Sequence, residues 1–163
     1  MLILVASLVC RATTSNAATS TPAHCSTSSF AIREASQDGG AGSFFLGLGL
    51  RNTSSHSCLT GGYARITLLG AGGRPLGAGT RTGHKDPTLD VAPGSSVYEV
   101  IRYGETPESG RVCRTVEGVR ISAPKSTQTR TARIPAGSQD CSRGFEVYPL
   151  AKTVAESQAD GMT

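Results

Sequence analysis

Tryptophan is absent from this 163-residue chain, which has only four Tyr and four Phe. Glycan-cleaving and glycan-binding sites usually offer aromatic platforms. Their scarcity weakens a glycosidase reading of the loop acids Asp86, Asp90, Glu105 and Glu108. No basic stripe is interleaved with aromatics, which argues against nucleic acid as a partner. Methionine occurs only as Met1 and Met162, too few for a methionine- and histidine-rich copper carrier. No cysteine pair has zinc-finger spacing. Neither a metal nor a cofactor is implied. Charge is sparse, at 17% of residues, and the net charge is +4. Eight Lys or Arg against four Asp or Glu lie between Arg102 and Arg143. This reads as a solvated basic face, and the sharper alternative is attraction to an anionic surface.

Long apolar runs are missing as well. Residues 2–9, LILVASLV, are too few to span a bilayer as a helix. They read as the hydrophobic region of a secretory signal without its charged start. Ser15-Asn16-Ala17 fits a cleavage site, which divides the chain into a signal-like segment 1–17 and a Ser/Thr/Pro leader 18–24. Lipidation of Cys10 is the rival reading, and Val9 stands where that would need a small residue. The expected location is secreted or extracytoplasmic, associated with the cell envelope. The mature chain would carry no integral membrane span.

Glycine is plentiful, with 20 residues, and Ser and Thr are frequent. Such composition favours strands and turns over helices. Phe44, Leu46, Leu48 and Leu50 alternate in SFFLGLGLRN, with Phe45, Gly47, Gly49 and Arg51 on the other face. Small residues on that second face suit the close approach of another segment or an uncrowded solvent face. Ala64, Ile66 and Leu68 point inward in the next strand, and GAGGRP at 70–75 makes a hairpin turn. In SSVYEVIRY the facing is ambiguous, because Val97 and Ile101 share a face with Glu99. STQTRTARI suits an edge strand guarded by Arg130 and Arg133. Asn52-Thr53-Ser54 is a glycosylation sequon with a high chance rate. About seven to nine short strands separated by turns predict one β-sandwich domain over 25–150. Residues 151–163 read as a frayed polar tail with at most a weak helix.

Without Cys10, four cysteines remain: Cys25, Cys58, Cys113 and Cys141. An even number in an exported chain reads as a disulfide framework, and four cysteines allow three pairings. Spacing alone does not choose among them. No G-x-S-x-G, H-E-x-x-H, phosphate-loop or dinucleotide motif occurs. His24 and His56 lie near Cys25 and Cys58, so a bridge between those cysteines would let the two imidazoles approach. The plainer reading of His24, His56 and His84 is exposed loop histidines.

LRNTSSHSCLTGGYARITLLGAGGRPLG, VAPGSSV and the spaced cysteines resemble an actinobacterial exported family, the domain of unknown function four-two-three-two. The resemblance covers about residues 25–150. It implies an immunoglobulin-like antiparallel β-sandwich with Cys25 paired to Cys58 and Cys113 to Cys141. It brings no activity and no catalytic residues. The expected role is a non-enzymatic binding or adhesion module, and the partner is an unidentified envelope protein, polymer or surface. The long polar loop 77–90, with Arg81, His84, Lys85 and Asp86, is the candidate contact region. The alternatives are an envelope hydrolase using His56 or His84, and a structural spacer with no specific ligand.

Overall fold

A computed structural model describes residues 22–83, 88–104, 107, 112–134, 138–142 and 144–163. The signal-like segment, the lipidation candidate Cys10 and most of the leader lie outside these. Thirteen strands and one α-helix are described. They are β1 (Phe30–Gly40), β2 (Ser43–Asn52), β3 (Cys58–Thr60), β4 (Arg65–Leu69), β5 (Pro75–Ala78), β6 (Thr80–Arg81), β7 (Leu89–Val91), β8 (Ser96–Gly104), β9 (Arg114–Thr115), β10 (Gly118–Ser122), β11 (Arg130–Arg133), β12 (Gln139–Asp140), β13 (Glu146–Val147) and α1 (Val154–Gly161). The count exceeds the seven to nine expected. Pairings of two residues, as in β6, β9, β12 and β13, are too short to show a period-two alternation.

Two sheets make the sandwich. One runs β1-β2-β8-β13-β6 and the other β11-β10-β4-β5. Two short ribbons, β3-β7 and β9-β12, close its ends. All pairs are antiparallel except β13 with β6, which is parallel. The core is filled from both inner faces. Leu46, Leu48 and Leu50 of β2 and Val97, Ile101 and Tyr103 of β8 join Ile66 and Leu68 of β4 and Val119 and Ile121 of β10 in one cluster. The alternation expected for β2 and β4 is therefore the packing seen. β11 is the edge strand expected, with Arg130 and Arg133 exposed. The β1–β2 hairpin turns on Ala41 and Gly42, both with positive φ (51° and 78°), the pair of conformations that a tight two-residue turn requires.

The disulfides are Cys25–Cys58 and Cys113–Cys141, the pairing implied by the resemblance. Cys25 sits in the segment leading to β1, and Cys58 opens β3. Backbone bonds Cys25 N–H to Leu59 O (2.8 Å) and Leu59 N–H to Ala23 O (2.9 Å) run beside the bridge. It ties the start of the first sheet to the ribbon that carries the chain into the second. The other bridge joins the start of β9 to the end of β12.

Residues 151–163 do not form a frayed tail. Thr153 accepts from the Glu156 N–H at 3.1 Å, and Glu156 Oε2 accepts from the Lys152 N–H at 3.1 Å. This side-chain box at the helix start satisfies backbone donors that would otherwise lack partners. The helix then docks on the outer face of the five-stranded sheet. The buried Ser157 hydroxyl accepts from the Val100 N–H at 3.1 Å. An added Cβ on Gly47 would lie 3.3 Å from the Val154 methyls. The small residues of β2 thus serve close approach, and β8 reads ambiguously because the helix covers its second face.

Candidate functional site

The loop expected over 77–90 is partly strand. β5 ends at Ala78, and β6 pairs with β13 at the edge of the five-stranded sheet. A Cβ at Gly79 would strike Val147 and Phe145, so this stretch is packed and not free. His84, Lys85 and Asp86 lie outside the described residues. Arg81 is described, on β6 and exposed. It therefore belongs to a sheet edge, positioned by backbone pairing.

Arg81 faces a cleft of about 450 Å³ between the end of β3 and the turn before β11. The chain leaves β3 at Thr60 and reverses through Gly61 (φ 151°) and Gly62 (φ 75°), conformations that side-chain-bearing residues rarely adopt. Tyr63 follows. Its ring lies under Arg81, with the guanidinium carbon 5.7 Å from the centroid. Its hydroxyl donates to Gly83 O at 2.8 Å. One tyrosine therefore positions Arg81 by cation–π attraction and holds the chain that follows β6. Across the cleft, Lys125 stands in a turn with φ 61°, and its Nζ is 3.1 Å from His24 Nε2.

Among the described residues, no acidic side chain lines the cleft. A carboxyl that does interact with Arg81 is that of Glu99, fully buried on β8. Its Oε1 accepts from the Ala64 N–H at 2.7 Å. Burial pushes its pKa up to about 8, against the lowering effects of that hydrogen bond and of the Arg81 charge. Glu99 is therefore largely protonated at neutral pH, and the positive charge of Arg81 is not cancelled from behind. Two kinds of polar donor remain unused at the cleft. Thr60 Oγ1 is buried without a hydrogen-bond partner among the described residues. Among these residues, no acceptor takes the backbone N–H of Gly61 or Gly62 either.

The other sequence candidates fall elsewhere. His56 Nδ1 meets Ser55 Oγ at 2.9 Å on an exposed turn, whereas His24 meets Lys125. The Cys25–Cys58 bridge leaves the two imidazoles with different partners. No group of three His, Cys, Asp or Glu that could hold a metal occurs among the described residues. Asp90 is exposed on β7, while Asp86, Glu105 and Glu108 lie outside the described residues. Asn52 of the sequon is fully buried. Its amide donates to His56 O at 2.9 Å and Val91 O at 2.8 Å, so it is a structural residue that a glycan could not reach in the folded chain. Arg102, Glu146 and Ser43 form a second polar cluster. Arg102 Nη1 donates to Glu146 Oε2 at 3.2 Å, and its Nε and Nη2 donate to Ser43 Oγ at 3.1 and 2.9 Å. Those bonds occupy the guanidinium from within the chain.

Sequence reasoning reached Arg81 but missed its neighbours. Gly-Gly-Tyr after Cys58 is a visible turn signal. Nothing local marks Lys125, more than forty positions away from Arg81 along the chain.

No helix among the described residues is long and apolar enough to cross a membrane. No curated protein and no solved structure matches the chain. The family model described as domain of unknown function (DUF4232) matches residues 25–151, from the first disulfide cysteine to Ala151, ahead of α1. On that match, which covers most of the chain and both disulfides, the chain belongs to the DUF4232 family.

Proposed function

We propose that the domain is a non-enzymatic binding module that works outside the cytoplasm, in the cell envelope, and that the cleft beside the Cys25–Cys58 bridge is its contact site. The observation that carries this reading is the cleft itself. It brings Arg81, Lys125 and His24 together, and none of the described residues in its lining is acidic. Two disulfides support an oxidising location, and the apolar run at residues 2–9 supports export. A binding role is favoured over hydrolysis because neither described imidazole contacts a carboxylate. The rigid sandwich positions the cleft, and its lining comes largely from connecting segments, the usual placing of recognition surfaces on such folds.

The test is retention of the exported protein on envelope fractions. Arg81→Ser combined with Lys125→Ser removes two exposed cations and, with them, the contacts to the Tyr63 ring and to His24, while leaving the buried core side chains in place. Retention should fall while the β-type circular dichroism spectrum and the melting temperature stay unchanged. Unaltered retention would assign the envelope contact to another surface.

A further inference from the structure

The cleft offers donors beyond its charge, and their number selects a ligand chemistry. Arg81 makes no ion pair and no side-chain hydrogen bond among the described residues, so its guanidinium donors are open. Lys125 uses one ammonium proton on His24 Nε2 and keeps two. The backbone N–H groups of Gly61 and Gly62, successive in a glycine turn that lines the cleft, have no acceptor among the described residues and are available to an anion. Cations and amide donors from three separate segments converge on one space of about 450 Å³.

A planar carboxylate has two oxygens and meets an arginine fork well, but it leaves donors from other directions unused. A phosphoryl group has three strongly accepting oxygens in a tetrahedral spread and carries more charge. We propose that this cleft binds a phosphoryl group, with Arg81 and Lys125 as charge partners and the Gly61 and Gly62 amides as the neutral floor. This narrows the binding-module reading to a ligand chemistry and rests on it.

The probe is inorganic phosphate, titrated into the 15N-labelled exported protein at constant ionic strength, with sodium acetate and sodium chloride in parallel. The Gly61 and Gly62 amide resonances should move downfield with phosphate, saturate, and move little with acetate or chloride. Arg81→Ser with Lys125→Ser should weaken the phosphate response by at least about tenfold, as expected for lost charge-assisted bonds. Because both side chains are exposed, that variant is expected to keep the fold, and unchanged resonances outside the cleft, Tyr63 and His24 verify it. Two amides that stay still, or that respond equally to acetate, overturn the proposal. They do so even if envelope retention still depends on Arg81 and Lys125, which separates this failure from failure of the binding reading.

Two further arms identify the source. Soluble poly(glycerol phosphate) and phosphatidylglycerol vesicles are each offered to the protein with and without inorganic phosphate as competitor. The form whose binding phosphate competes away carries the group recognised. Association that phosphate does not displace from either is general surface charge, and counts against a phosphoryl site.

Discussion

The backbone N–H of Ala64 donates to Glu99 Oε1 at 2.7 Å, while Glu99 Oε2 is buried without a hydrogen-bond partner among the described residues. A carboxyl placed this way is stable as the neutral acid and costly as an anion. Its pKa is raised to about 8 from the ordinary value of 4.5. Between those two values the folded chain holds a proton that the unfolded chain has lost. Stability is therefore unaffected by this group below pH 4.5 and falls as pH rises toward 8. The loss across the window is on the order of 5 kcal/mol. Glu99→Gln keeps an acceptor for Ala64 and cannot ionise. Melting temperatures of the parent should drop between pH 5 and pH 8 more steeply than those of the variant. Parallel curves would show that Glu99 ionises as an ordinary surface acid.

Gly161 packs against the Tyr148 ring so closely that an added Cβ would strike it. Gly161→Ala improves local helix propensity, yet it should destabilise the docked helix by about 1–3 kcal/mol through overpacking. Hydrogen exchange at Val100, whose N–H donates to Ser157, reports undocking directly. Faster exchange there with unchanged protection in β4 and β10 is the expected pattern. A variant as stable as the parent would mean that the tyrosine moves aside without cost.

Asp140 is almost fully buried and forms an ion pair with Arg114. Its other oxygen accepts from the Ser142 N–H at 3.0 Å and from the Ser142 hydroxyl at 2.6 Å. Arg114→Ala would leave a buried carboxylate without its cation beside the Cys113–Cys141 bridge. The expected cost is about 3 kcal/mol, at the lower end for a buried pair because Arg114 itself is partly exposed. Urea unfolding gives the measure. A midpoint unchanged from the parent would show that the Ser142 bonds suffice for Asp140.

Much of this architecture is written locally. Leu46, Leu48 and Leu50, and likewise Ile66 and Leu68, alternate at the spacing of a strand, and each set lies in the core. A half-buried strand needs only its own side-chain sequence to declare its inner face. The GAGGRP turn and the Arg-guarded edge were legible for the same reason. The terminal helix carries a local mark too, the Thr153-to-Glu156 capping pattern, but its polarity hides the surface it covers.

Composition and local pattern by themselves determined a β-sandwich of short strands, and family resemblance supplied which cysteines join. Tertiary structure alone decided that Glu99 is enclosed, that the tail becomes a packed helix, and that Lys125 stands opposite Arg81 across a cleft. The difference is one of range. Strand facing follows from neighbours two positions apart, whereas burial and site assembly depend on which distant segments the sheets and the Cys25–Cys58 bridge bring together.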